Sequence, residues 1–194
     1  MPHEPPGPAG PPEPPQVTSR RRELRADCRR CAALCCIVPA FTASADFAIS
    51  KPAGQPCPNL TAGFGCSIHD RLRPAGFGGC AAFDCFGAGQ AVVQGAFGGR
   101  DWRSEPDLAS SMFAVFPVLR QLHELEFYLN EALALTPAEP LRTRTAEMLA
   151  ATDRLAAGGP DDLIALDLAA HRDRANAVLI AVSDQARGRT GRPG

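Results

Sequence analysis

The chain has 194 residues, a formal net charge of −1, 21% charged and 45% hydrophobic residues, and eight cysteines. That length is enough for one packed domain or two small ones. The near-neutral charge excludes a global field that would drive the chain onto nucleic acid or an anionic membrane, and no apolar run approaches the roughly 20 residues of a membrane span. Lys51 is the sole lysine among twenty basic residues, a bias toward arginine that reads as the codon usage of a GC-rich genome.

Residues 1–18 are proline-rich and nearly free of large apolar side chains, which predicts a disordered or polyproline II tail. The segment has no basic region followed by an apolar one, so no secretory signal is expected and a cytoplasmic location follows. In a reducing compartment, dense cysteines read as ligands or redox groups before structural disulfides.

Residues 19–100 form a cysteine-rich module. Cys28, Cys31, Cys35, Cys36, Cys57, Cys66, Cys80 and Cys85 all lie within it, and none follows. Read as a helix, RRRELRADCRRCAALCC places Leu24, Cys28, Cys31 and Cys35 on one face at steps of four, three and four, with Cys36 about 100° away. Disulfides within that set fit poorly on a helix. Metal coordination asks less, because one ion draws sulfurs from several elements. The later cysteines sit in glycine- and proline-rich turns: KPAGQPCPN, TAGFGC, RPAGFGGC and CFGAGQ. A segment so rich in turns has too little regular apolar pattern to hold its own shape, and bound metal is the usual device. All eight thiols are therefore candidate ligands, as two four-sulfur sites or one cluster with spare cysteines, and His69 is a weaker candidate. Zinc and iron–sulfur both use four thiolates. One CxxC, one adjacent pair and four singletons depart from the paired CxxC of zinc ribbons and favour iron–sulfur without deciding it.

Residues 101–188 predict a helical bundle, followed by a short tail over 189–194. SEPD at Ser104–Asp107 offers a cap and an N-terminal proline. Met112, Phe116, Leu119, Leu122, Leu125, Leu129 and Leu133 then recur at three- and four-residue steps. Pro117 should kink or split this helix near Phe116. TPAE at Thr136–Glu139 is a second capping box, opening a helix with Leu141, Met148 and Leu155 on one side. Gly158-Gly159 stops it, and Pro160 opens a last helix expected to run unbroken to about Gly188. The fold class is mainly α: a loop-rich, cysteine-ligated module on an antiparallel bundle.

Other motifs are weak. GAGQ at Gly87–Gln90 lacks the third glycine and the preceding strand of a dinucleotide fingerprint, and reads as a turn leaving the metal site. His123 and Glu126 have no second Glu-x-x-His copy to complete a di-metal bundle. Asp167 and His171 read as a surface i, i+4 pair. Arg20, Arg21, Arg22, Arg25, Arg29 and Arg30 surround the first cysteines and are expected to offset thiolate charge rather than bind phosphate. No acid–base set or cofactor cradle is legible, so whether the chain is an enzyme stays open. A thiol redox sensor, or an interaction protein without permanent metal, is the alternative. A protein partner through the proline-rich tail or the bundle is left open, while a membrane or nucleic-acid partner is not expected.

The order C-x2-C-x3-C-C, C-P-N-L, C-S-I-H-D-R-L-R-P and C-A-A-F resembles the family of zinc- or iron-chelating domains defined by a C-x2-C-x2-C-C signature. The resemblance carries onto Cys28, Cys31, Cys35, Cys36, Cys57, Cys66 and Cys80, with the Arg73-Pro74 pair and Phe83 as the aromatic after the last of these. It implies a metal-chelating role. Two spacings differ: three residues, Ala32–Leu34, stand before the Cys-Cys pair instead of two, and Arg73 to Cys80 is longer. Over roughly Arg20–Ser183, CRRCAALCC, ADFAISKPAGQPCPNL, DCFGAGQ and LHELEFYLNEAL resemble actinobacterial proteins labelled as pentapeptide-repeat proteins. The A-D/N-L-x-x repeats themselves are absent from this chain.

Overall fold

The computed structural model describes residues 24–135 and 137–190, so the expected N-terminal tail, the Arg20–Arg22 run and the Thr136 cap lie outside the described residues. Four long or medium helices follow the cysteine-rich module. They are α4 (Ala109–Ala134), α5 (Leu141–Ala156), α6 (Pro160–Ala165) and α7 (Leu168–Thr190). Three short helices lie inside the module: α1 (Leu34–Ile37), α2 (Gly78–Ala82) and α3 (Ala88–Gln90). A π-turn over Ala91–Ala96 continues α3. Among the described residues, strand-like pairing is confined to two isolated antiparallel bridges, Phe41 with Lys51 and Leu60 with Cys66. The architecture is mainly α, as the periodicity predicts.

The stripe on α4 organises the core. Met112, Val115, Phe116, Leu119 and Leu122 are buried and meet Leu34 and Ile37 of α1, Val92, Val93 and Phe97 beyond α3, and Leu163 of α6. The module therefore shares one apolar core with the bundle. Burying side chains of this size contributes about 1.5–3 kcal/mol each, as an upper bound. α4 packs against α5, α6 and α7, and α5 packs against α7. A smaller cluster of Ala132, Leu141 and Val182 closes the far end.

Four local expectations are corrected. α4 runs unbroken through Pro117. A proline removes the bond to the carbonyl four residues earlier, but Pro117 is exposed and its neighbours Val115, Phe116 and Leu119 are buried in the core. The SEPD segment forms a short 3-10 turn, Pro106–Leu108, before α4 begins. The second helix starts at Leu141, two residues beyond TPAE, and the Glu139 carboxylate accepts from the N–H and hydroxyl of Thr143. The last helix is two, because Leu166 is extended (ψ 129°) and the Asp167 carboxylate accepts from the Ala170 N–H to restart it as α7. Among the described residues, no helix is long and apolar enough to cross a membrane.

Candidate metal centre

The single helix expected across the first cysteines does not form. Cys28–Arg30 is one 3-10 turn capped by the Asp27 carboxylate, and only Leu34–Ile37 is α-helical. Between them Ala32 (φ 46°) and Ala33 (φ 54°) are both left-handed. That conformation is costly for a residue with a Cβ and persists only where surroundings enforce it. Here Trp102 Nε1 donates to the Ala32 carbonyl (2.8 Å), and both alanines are buried against the core. The break re-aims the chain, so Cys28 and Cys31 lie on a turn while Cys35 and Cys36 lie on α1.

The turn is tied to α3 from several directions. Gln90 accepts from the Asp27 N–H (2.8 Å) and donates to the Arg25 carbonyl, and Gln94 donates to the Arg30 carbonyl (3.1 Å). Cys31 presses on Gly89, where a Cβ would stand 2.6 Å from the Cys31 Cβ. Cys85 enters the same region just before α3, and the segment around it is pinned to α4. Arg120 donates to the Asp84 carbonyl and lies over the Phe83 and Phe86 rings, and His123 Nδ1 meets the Phe86 carbonyl at 2.7 Å. His123 thus braces the cysteine segment from α4. GAGQ is the start of α3, with Gly87 left-handed at its cap (φ 74°).

Cys57, Cys66 and Cys80 are positioned by turns. The Cys57 N–H donates to the Cys36 carbonyl (2.9 Å), the Leu60 N–H donates to the Cys57 carbonyl, and Leu60 bridges to Cys66. Arg103 donates to the Thr61 and Ala62 carbonyls and stacks on Phe64 and Trp102, holding that loop to the start of the bundle. Cys80 rides on α2, fixed by bonds from the Gly79 N–H to the Asp46 carbonyl and from the Ala48 N–H to the Gly76 carbonyl. Phe47 stacks on Phe41 (4.5 Å) and lies where a Gly79 side chain would be. His69 is exposed on a 3-10 turn.

All eight cysteines are free thiols. The sulfurs of Cys35 and Cys36 lie 3.9 Å apart. Hydrogen bonding to its neighbour, then burial, pushes the Cys35 thiol up, while the same bond and the Lys51 ammonium hold Cys36 below its ordinary value. Cys36 is therefore the sulfur that most favours thiolate. Burial raises Cys31 to about 11, against a backbone N–H donated by Ala33. Burial likewise raises Cys66, against an N–H donated by Ile68, and raises Cys28 and Cys80. Amide donors two residues beyond a cysteine favour the charged sulfur and would tune a ligated one.

The cation beside these thiols is one the sequence reading passed over. Lys51 is only 4% exposed, and its ammonium donates to the carbonyls of Ile37 (2.9 Å), Pro52 (3.0 Å) and Gln55 (2.9 Å). The thiols of Cys57 and Cys36 lie close enough to act on its charge. Arg29 and Arg30 are exposed. Among the described residues, the buried cation beside the thiols is the Lys51 ammonium. A hydrated surface cation would have done as arginine in this chain, so the exception to its arginine bias was the legible signal.

As placed, no three His, Cys, Asp or Glu side chains among the described residues converge closely enough to hold an ion. Backbone N–H groups donate to the sulfurs of Cys31 and Cys66. A cleft of about 900 Å³ opens beside the Cys28 turn, lined by Arg25, Asp27, Arg30, Gln90, His123 and Gly158 among others, with no cysteine in its wall. His171, read as a surface residue, is instead buried with Nε2 2.9 Å from Thr152 Oγ1.

The chain is similar to the protein YybG of Bacillus subtilis (strain 168), described as uncharacterized, at 42% identity over 171 residues, which cover 88% of this chain. The chain spans 61% of that relative's length. No protein-family model matches the chain, and no solved structure matches it.

Proposed function

We propose that the chain is a metal-binding protein that coordinates zinc or an iron–sulfur cluster through its clustered cysteines. The observation that carries this reading is the placement of eight free thiols on the turns and short helices of one module, with backbone N–H groups aimed at the sulfurs of Cys31 and Cys66. A buried ammonium, Lys51, beside Cys36 and Cys57 adds to it. Thiolate sulfur is the ligand that zinc and iron–sulfur centres share. Zinc held by four thiolates supplies structural cross-linking, and an iron–sulfur cluster would add one-electron transfer. The chain's own residues bind, orient and partly shield the sulfurs, and Lys51 offsets part of their negative charge.

A second reading is a thiol redox sensor, favoured by the 3.9 Å contact between Cys35 and the thiolate-prone Cys36. Anaerobic purification followed by zinc, iron and acid-labile sulfide analysis separates the two. Stoichiometric metal supports the first reading, with sulfide and visible colour marking iron–sulfur. Metal-free protein whose cysteines form reversible disulfides supports the second.

A further inference from the structure

The cleft of about 900 Å³ beside the Cys28 turn lies at the seam between the cysteine-rich module and the bundle. Its volume falls within the roughly 300–1,000 Å³ of pockets that hold small organic molecules. Its walls come from the Arg25–Arg30 stretch, from α3 with the following π-turn, and from the end of α5 with Gly158 and Gly159. Buried Leu119 and His123 of α4 also line it. Two of these walls are fixed to each other, because Gln90 bonds to Arg25 and Asp27 backbone and Gln94 to the Arg30 carbonyl. The cleft is therefore preformed.

Two features distinguish it from a packing gap. The π-turn Ala91–Ala96 contributes Ala91, Gln94, Gly95 and Ala96 to the lining, and short π-helical turns occur frequently at functional sites. The second feature is Gly95 itself. A Cβ added there would meet nothing within 4 Å, and its φ is not left-handed. Neither packing nor backbone conformation therefore calls for glycine, which is the poorest helix former after proline. What the missing side chain keeps open is the cleft.

The charged lining residues set the chemistry of the occupant. Arg25 and Arg30 are exposed, line the cleft and enter no ion pair among the described residues. Asp27 also lines it, with its carboxylate accepting from the Arg29 N–H. Two guanidiniums against one carboxylate leave these three groups with one net positive charge, matched to a monoanion. A guanidinium pairs with a carboxylate through two parallel N–H bonds. Ala91, Ala96, Leu119 and Ala156 supply apolar surface beside them. We infer that this cleft binds a small organic monoanion, a carboxylate on an apolar body, which Arg25 and Arg30 hold by its charged end. The site is independent of the metal-binding reading, since no cysteine lines it.

Fluorescence titration of the full chain with 8-anilinonaphthalene-1-sulfonate, an anion on an aromatic body, tests the site when followed by competition with 4-phenylbutyrate and its neutral amide. Saturable binding of the probe is expected, with the carboxylate displacing it at concentrations at least about tenfold below those the amide requires, the factor for a hydrogen bond to a charged group. The double variant Arg25→Gln, Arg30→Gln should erase that preference. Gly95→Leu, which places a side chain in the open space without a clash, should weaken probe binding at least about tenfold with no loss of Tm. Absence of saturable binding, equal competition by acid and amide, or full-strength binding to Gly95→Leu would each overturn the assignment. Should Gly95→Leu prove less stable, the acid-over-amide preference in the arginine variant decides: its loss supports the site, and its survival refutes it.

Discussion

Replacing Lys51 by methionine keeps most of the side-chain volume and removes the ammonium. Three carbonyls, those of Ile37, Pro52 and Gln55, then lose their donor inside a site where Lys51 is 4% exposed. A hydrogen bond from a charged donor contributes about 1.5–3 kcal/mol, and an unsatisfied buried carbonyl costs about 1–3 kcal/mol. Relief of the ammonium's own desolvation offsets several kcal/mol of that. The net loss should be about 3–5 kcal/mol, the range for breaking a buried charged network by removing one partner. That is a large fraction of the 5–15 kcal/mol typical of a domain. Lys51→Arg should be intermediate, because a planar guanidinium cannot direct three donors from one nitrogen. Urea unfolding at neutral pH measures both. In the metal-free, reduced protein, Lys51→Met should also slow alkylation of Cys36, whose thiol is held down in part by that cation. A stability change below about 1 kcal/mol, with unaltered Cys36 reactivity, would refute the role assigned to Lys51.

Other substitutions probe neighbouring parts of the argument. In Gly89→Ala the new Cβ would stand 2.6 Å from the Cys31 Cβ; overpacking of that kind costs about 1–3 kcal/mol, and calorimetry should show a drop in Tm of roughly 2–4 °C per kcal/mol. A variant as stable as the wild type would mean the Cys28 turn is not clamped on α3. His171 is held below its ordinary pKa by burial, with the Arg174 charge adding, so between that depressed value and 6.5 the unfolded chain binds more protons than the folded one. Stability should therefore fall as pH drops below 6.5, and His171→Gln should flatten that fall in urea unfolding at pH 7.5 and 5.5; an unchanged slope would assign it elsewhere.

What the sequence displayed, and what it hid, follows from the range of the forces involved. The α4 stripe and the Gly158-Gly159 stop are short-range patterns and were readable, as was the loop setting of Cys57, Cys66 and Cys85. The course of the chain through Ala32 and Ala33 was not. Alanine has the highest helix propensity, and only tertiary contacts, chiefly the Trp102 bond and burial against α4, force both residues into left-handed backbone. Pro117 misled for the converse reason: its local penalty was legible, but the buried residues around it that outweigh that penalty belong to the core. Likewise the inward turn of His171 depends on α5, which supplies Thr152. The pairing of Cys31 with α3 and of Cys36 with Cys57 lies between segments distant in sequence, so the placement of these thiols could not be read from spacing.

The proposed function predicts that metal gripped through sulfur fixes those loops of the module that lie outside the apolar core it shares with the bundle. Amide hydrogen exchange on the protein as purified and after chelator treatment under reducing conditions tests it most directly. Protection should fall sharply across residues 24–90, outside the core-facing segments of α1 and α3, and persist through α4, α5 and α7. Equal protection of the module before and after stripping, in protein confirmed to have lost bound metal, would contradict the account.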